Sequence, residues 1–131
     1  VRVLCTFCKK EVEATPEQAQ TIKTILEEMK LENKDLSKHN INADAPVKLH
    51  TPVGCEKCNN TGYKGRIGIF EAIRNDAEIE KIMPENPSER GIKEIAAKQG
   101  ILSMRQDGVV KILNGITSFA EVVSVVDLGE K

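Results

Sequence analysis

The chain has 131 residues, 40% of them hydrophobic and 30% charged, with a formal net charge of −1. That size suits one domain or two small parts sharing a core, and near-neutrality argues against a strongly basic nucleic-acid binder. No apolar run reaches the about 18 residues of a membrane span, no charged-then-apolar leader is present, and the start at Val1, inside an apolar segment, reads as a cut from a longer protein. With no Trp, one Tyr and three Phe, the core is expected to be aliphatic.

In chain order, Val1 to Lys10 carries the pair Cys5-Thr-Phe-Cys8. Thr15, Pro16 and Gln18 then form a helix start, with Thr-x-x-Gln as a capping box and Pro at the first helical position. Ala19, Ile22, Ile25, Leu26 and Met29 follow at helical spacing, and the helix is expected to fade near Leu31. Residues Glu32 to Ala45 are polar without a period and read as an exposed loop. Val47 to Thr51 reads as a short strand, and Gly54 to Gly62 as a turn-rich knuckle holding Cys55 and Cys58. Arg66 to Ile73 reads as a strand with Ile67, Ile69 and Ile73 on one side.

Beyond Asn75 the pattern becomes short punctuated helices. Asp76 is a cap for a helix with Ile79, Ile82 and Met83, stopped by Pro84. Ser88 caps another with Ile92, Ile95 and Ala96, ended by Gly100. A third spans Ser103 to Asn114, ended by Gly115, and a Ser118-x-x-Glu121 box opens a last one with Phe119, Val122, Val123 and Val126. The expected fold is α+β and helix-rich. A tetracysteine zinc subdomain with short strands (1–74) precedes a small helical subdomain (75–131).

Each Cys-x-x-Cys brings two thiolates to one ion from a single tight turn. Two such turns, Cys5/Cys8 and Cys55/Cys58, supply the four sulfurs that tetrahedral zinc requires, and no cysteine is left over. Residues 9–54 separate the pairs, a longer gap than the about 15–20 residues of a compact zinc ribbon. Four filled positions make such a zinc structural rather than catalytic. Its excess negative charge would gain from Lys9, Lys10, Lys57, Lys64 and Arg66 and from backbone N–H groups. Gly54, Gly62 and Gly65 would let the chain turn near the sulfurs. The alternatives are an iron–sulfur cluster and a disulfide or redox dithiol. The missing secretory signal disfavours disulfides, and the lack of a helical pattern after either pair disfavours the redox dithiol.

Other candidates have blander readings. The Gly62–Gly68 segment contains no Gly-x-x-x-x-Gly-Lys-Ser/Thr phosphate loop, and Gly62-Tyr-Lys-Gly65 lacks the flanking helices of an RNA clamp. His39 and His50 are expected at the surface, Glu71 and Asp107 in caps or salt bridges, and Glu27 to Lys30 on a solvated helix face.

The strings Val1-Arg-Val-Leu-Cys5-Thr-Phe-Cys8-Lys and Pro52-Val-Gly-Cys-Glu-Lys-Cys-Asn-Asn-Thr-Gly-Tyr-Lys-Gly-Arg-Ile-Gly-Ile-Phe-Glu71 resemble the ATPases of type II secretion and type IV pilus assembly. Gly100-Ile-Leu-Ser-Met-Arg-Gln-Asp-Gly108 and Gly115-Ile-Thr-Ser-Phe-Ala-Glu-Val-Val-Ser-Val-Val126 are similar to that family's later segments, with Ile101 in place of a usual Met and Ala120 in place of a usual Glu. The resemblance implies the far C-terminal part of such an ATPase, with zinc on Cys5, Cys8, Cys55 and Cys58. It also implies an upstream RecA-like domain that holds ATP and Mg2+, neighbouring subunits of a hexamer, and a cytoplasmic position peripheral to the inner membrane beside a platform protein. The Walker segments of the family lie upstream of Val1, so this chain is expected to have no ATP site and no enzyme activity of its own. Arg66 and Glu71 are expected at interfaces or in salt bridges. The rival readings are a zinc-ribbon nucleic-acid module, disfavoured by charge and by the lack of stacking aromatics, and a co-chaperone zinc module, whose repeated Cys-x-x-Cys-x-Gly-x-Gly pattern has a single loose counterpart here.

Overall fold

The structure, a computed structural model, describes residues 1–42, 46–71, 77–85, 88–96, 99 and 101–128. It is a small α+β arrangement. Two two-stranded antiparallel sheets flank the cysteines, and helices build the rest.

Strand β1 (Arg2–Leu4) pairs with β4 (Tyr63–Arg66), with a register shift between Arg2↔Arg66 and Leu4↔Tyr63. Strand β2 (Lys10–Glu13) pairs in regular register with β3 (Lys48–Thr51), which places Val12 opposite Leu49. β3 matches the strand expected over Val47 to Thr51. The strand expected over Arg66 to Ile73 lies earlier in the chain. Its ladder runs from Tyr63, and its last rung is Ile67, whose N–H and C=O meet the C=O and amino group of Val1 at 2.9 and 3.0 Å. Ile67 and Ile69 are both half-buried, as their alternation implied; Ile73 lies outside the described residues.

Helix α1 (Pro16–Leu31) starts as read: Gln18 N–H donates to Thr15 Oγ1, and Thr15 N–H donates to Gln18 Oε1. It ends with Asn33 in the left-handed region (φ 57) and Lys34 N–H bonded to Met29 O at 2.9 Å, a Schellman closure. Its buried face is Ile22, Ile25, Leu26 and Met29. In the Glu27–Lys30 stretch only Glu27 and Lys30 are solvated; Met29 is buried and Glu28 half-buried.

The segment after α1 differs from the exposed loop expected. A 3-10 turn at Ser37–His39 folds it back, so Ile41 joins the core and Leu36 packs against it. Lys34 is also buried. Its Nζ donates to Gln106 Oε1 at 2.6 Å and to Glu32 Oε1 at 3.3 Å, while Gln106 Nε2 donates to Glu32 Oε2 (2.7 Å) and Glu28 Oε1 (3.1 Å). A buried lysine without such partners would be strongly unfavourable. The network ties the end of α1 to helix α4 (Met104–Leu113), whose N-cap is Ser103 with a closed Gln106 box.

Helices α2 (Ala77–Glu85) and α3 (Glu89–Ala96) pack on each other. Ser88 Oγ accepts from Gly91 N–H, as expected of a cap. Pro84 stands inside α2 rather than stopping it; a proline near the C-terminal end leaves most of the helical ladder untouched. Asp76 and Gly100 lie outside the described residues. Helix α5 (Phe119–Val123) follows its Ser118 cap, which accepts from Glu121 N–H at 3.2 Å.

The main core contains Ile22, Ile25, Leu26, Met29, Ile41 and Leu49 together with Val109, Val110, Ile112, Phe119, Val122, Val126 and Leu128. Its side chains come from both sides of residue 74. It is aliphatic apart from Phe119, as the composition implied.

Candidate metal centre

The two cysteine pairs are built by different local devices. Cys5 closes β1, and its carbonyl accepts Lys9 N–H at 3.0 Å, which curls residues 5–9 into a turn. Cys55 is the N-cap of a 3-10 turn at Glu56–Cys58, and Cys58 is its last residue. Asn60 N–H bonds Cys55 O at 2.8 Å, and Asn59 and Asn60 both take left-handed backbone (φ 56 and 59). Asparagine tolerates that region better than most residues with a Cβ. Thr61 Oγ1 donates to Cys58 O at 2.7 Å. Neither pair opens an α-helix.

The two turns are joined directly, since Cys5 N–H donates to Gly62 O at 2.9 Å. This brings all four Sγ atoms within 4.8 Å of one another. Cys5–Cys55 and Cys55–Cys58 are 3.7 Å apart and Cys8–Cys58 3.9 Å. A tetrahedron with zinc–sulfur bonds of about 2.3 Å has edges of about 3.8 Å. A polynuclear iron–sulfur cluster would instead distribute four cysteines over several irons and spread the sulfurs apart. All four cysteines are free thiols, and a disulfide would require sulfurs at about 2.05 Å. The donor set therefore fits one tetrahedral, thiophilic ion.

Backbone N–H groups point at the sulfurs. Gly54 N–H donates to Cys8 Sγ (3.3 Å), and Cys58 Sγ receives Cys55 N–H (3.3 Å) and Gly62 N–H (3.2 Å). Burial pushes the Cys55 thiol up to about 11, with hydrogen bonds to Cys58 and Cys5 acting in the same sense. Burial acts on Cys58 likewise, but the N–H groups of Cys55 and Gly62 outweigh it and bring that thiol down to about 6. Of these two, Cys58 sheds its proton before Cys55, and a bound cation would hold the set as thiolates.

Gly62 is held at φ 81, and a Cβ there would stand 2.3 Å from Pro52 Cβ. The position requires glycine on both counts. Gly54 and Gly65 also have left-handed φ, in agreement with their reading as turn glycines.

Two of the cations expected near the sulfurs have partners of their own. Lys9 Nζ donates to Gly115 O at 2.9 Å, and Lys57 Nζ lies 4.6 Å from the Phe7 ring centroid. Lys10, Lys64 and Arg66 are exposed. Glu71 is exposed too, while Asp107 accepts from Lys111 Nζ (2.7 Å) and from Phe70 N–H (3.1 Å), the salt-bridge role expected of it. Neither histidine reaches the cysteines. His50 is half-buried rather than at the surface: it lies in β3, its ring meets Gly115, and its Nδ1 is buried without a hydrogen-bond partner among the described residues. His39 is half-buried as well, and its carbonyl accepts Asn114 Nδ2–H.

Contacts not foreseen in the sequence fasten the site to the helices. Leu4 N–H donates to Ile116 O (2.8 Å) and Thr117 Oγ1–H to Arg2 O (2.7 Å). Glu121 takes Arg2 N–H, Nε and Nη2 at 2.9, 3.0 and 2.6 Å, and Tyr63 OH meets Ser118 Oγ at 2.8 Å. Arg2 also stacks over Tyr63, 4.2 Å from its centroid. A Ser-x-x-Glu box is ambiguous in sequence, because its glutamate can close the cap or, as here, reach a distant strand.

Comparison with known proteins agrees with the segments picked out above. The family model described as "Type II/IV secretion system protein" matches residues 1–124. Over 121 residues the chain is 39% identical to the Type IV pilus assembly ATPase PilB of Pseudomonas aeruginosa, covering 92% of this chain and 19% of that protein. It is 37% identical over 124 residues to the Type IV pilus assembly ATPase PilB of Thermus thermophilus, covering 95% and 12%. It is 34% identical over 125 residues to the Type II secretion system protein E of Dickeya dadantii, covering 95% and 21%. The chain thus spans about a fifth or less of the length of these curated relatives. No helix among the described residues is long and apolar enough to cross a membrane. With the match running over almost all of its length, this chain belongs to the type II/IV secretion system protein family.

Proposed function

We propose that the chain is the zinc-stabilised C-terminal module of a hexameric ATPase that powers type IV pilus assembly or type II secretion. The observation that carries this reading is the convergence of Cys5, Cys8, Cys55 and Cys58 Sγ within 4.8 Å, in a chain of this family. Zinc, when bound, would cross-link the two turns and supply folding energy on the order of 10 kcal/mol. The residues do the rest. The four thiolates fill the shell and leave no open position, the N–H groups of Gly54, Cys55 and Gly62 offset thiolate charge, and Leu4, Thr117 and the Arg2–Glu121 pair pass the rigidity on to α4 and α5. The tetracysteine part (1–74) and the helical part (75–131) act together as a brace.

In this reading ATP and Mg2+ belong to a RecA-like domain upstream of Val1, and the module contacts that domain and neighbouring subunits. It works in the cytoplasm at the inner membrane, beside a platform protein. The test is ATP hydrolysis by this chain and by the same protein extended upstream through a Gly-x-x-x-x-Gly-Lys-Ser/Thr loop. The extended protein is expected to hydrolyse ATP and to lose most of that activity in Cys55→Ser/Cys58→Ser. Hydrolysis by the 131-residue chain alone, or full activity of the double variant, would overturn the assignment.

A further inference from the structure

We propose that the four cysteines are a peroxide-sensitive staple, in which oxidation replaces the bound ion by two cross-turn disulfides, Cys5–Cys55 and Cys8–Cys58. The sulfur contacts of the first turn run to the second. Cys5 Sγ lies 3.7 Å from Cys55 Sγ, and Cys8 Sγ lies 3.9 Å from Cys58 Sγ. The backbone holds both pairs together, since Cys5 N–H donates to Gly62 O and Gly54 N–H donates to Cys8 Sγ. Closing each pair to a bond of about 2.05 Å takes a shift of under about 2 Å, shared between two side chains. Cys55 and Cys58 are equally near, at 3.7 Å. A bridge between them would leave Cys5 and Cys8 as the remaining pair, and no contact joins those two among the described residues. The cross-turn pairing gives every sulfur a partner already in contact.

Each cross-turn pair also joins a half-buried sulfur to a buried one, Cys55 to Cys5 and Cys8 to Cys58. A peroxide therefore reaches Cys55 or Cys8 first. The thiolate attacks one peroxide oxygen, the O–O bond breaks, hydroxide leaves and a sulfenic acid forms. The thiolate of the buried partner then attacks the sulfenic sulfur, an S–S bond forms and a second hydroxide leaves. For each bridge two thiolates give up two electrons and one peroxide takes them. A centre left with two thiolates no longer retains a four-coordinate ion, and a second peroxide closes the other pair.

The pairing decides what oxidation does to the fold. Bridges within each turn would let the turns part once the ion is gone. Cross-turn bridges tie together the same two turns that the ion would hold, so the fold outlasts the metal. In a reducing compartment thiol exchange would reopen them and return the ligands. The inference rests on the metal-centre reading for what is released, and on the sulfur positions for which bridges form.

The experiment treats the reduced, zinc-loaded chain with hydrogen peroxide. Released zinc is read with a chromophoric chelator, and the bridges are mapped by peptide mass spectrometry after alkylation of free thiols. One zinc released per two disulfides is expected, with Cys5–Cys55 and Cys8–Cys58 the dominant bridges within single chains. Chelator should lower the urea midpoint of the reduced chain and leave that of the oxidised chain unmoved, until a dithiol reductant restores the sensitivity. Dominant Cys5–Cys8 and Cys55–Cys58 bridges, bridges mainly between chains, or sulfinic acids in place of disulfides would overturn the proposal. So would an oxidised chain without its folded spectrum, or zinc and thiols fully retained at peroxide levels that oxidise free cysteine. A reduced chain holding far less than one zinc would instead count against the metal reading, and the bridges mapped in that chain would still decide the pairing.

Discussion

Replacing Gly62 by alanine, with Gly65 as the matched control, separates backbone strain from the packing of the metal centre. Both glycines have left-handed φ, at 81 and 88. An L-residue in that region costs roughly 1–2 kcal/mol, so both variants carry this cost. They differ in surroundings. A Cβ at Gly65 would meet nothing within 4 Å, whereas one at Gly62 would stand 2.3 Å from Pro52 Cβ and 3.0 Å from its Cα. A proline ring and backbone cannot rotate aside, so the second turn must move, at a further cost of about 1–3 kcal/mol typical of overpacking. That movement also displaces Gly62 N–H from Cys58 Sγ within the second turn, and Gly62 O from Cys5 N–H, the link between the two turns. Urea unfolding of the zinc-saturated chain should therefore show a loss of about 1–2 kcal/mol for Gly65→Ala and about 2–5 kcal/mol for Gly62→Ala. Competition with a chromophoric chelator should show weaker zinc binding for Gly62→Ala alone. Equal losses in the two variants, or unchanged zinc affinity in Gly62→Ala, would refute the reasoning.

Further outcomes follow from the contacts that fasten the elements together. Gln106→Leu removes the acceptor of Lys34 Nζ and the donor to Glu28 and Glu32 in a buried site. It should cost about 2–4 kcal/mol in denaturant unfolding, and Lys34→Met added to it should recover part of the loss. Ser103→Ala should cost about 1 kcal/mol by removing the cap of α4. Arg2, by its side-chain hydrogen bond, holds the Glu121 carboxyl below its ordinary value. A depressed folded value means that this stabilisation is present above the unfolded pKa of about 4.3 and is lost as pH falls through the folded one. Melting temperature should accordingly fall less steeply over this acid range in Glu121→Gln than in wild type.

Much of the fold was legible because its signals are local. The Thr15-Pro16-x-Gln18 box needs only four residues to be recognised and closes as read, and the helix read from Ser103 begins with Ser103 as its N-cap. What was misread depends on partners distant in the chain. Lys10–Glu13 has a single apolar residue and no strand signature, and it becomes β2 because Leu49 waits opposite Val12. The Ile67–Ile69 alternation was real in burial, but the ladder runs only as far as the Val1–Ile67 rung, so the strand is centred earlier. A lysine in a polar stretch reads as surface. Lys34 is buried because Gln106, far along the chain, supplies its acceptor. The cysteine cluster was the most legible feature of the site, since spacing and donor chemistry alone set it apart. The clamp of Arg2 by Glu121 was not, because the same glutamate completes a plausible local box.

The central claim is that the four thiolates hold one structural zinc, and metal stoichiometry with unfolding before and after chelation tests it most directly. The account predicts one zinc per chain. It also predicts a loss of stability on chelation on the order of 10 kcal/mol, reversed by adding zinc back and abolished in Cys55→Ser/Cys58→Ser. A chain that purifies with far less than one zinc, and whose folded spectrum and unfolding midpoint are the same with and without chelator, would contradict it.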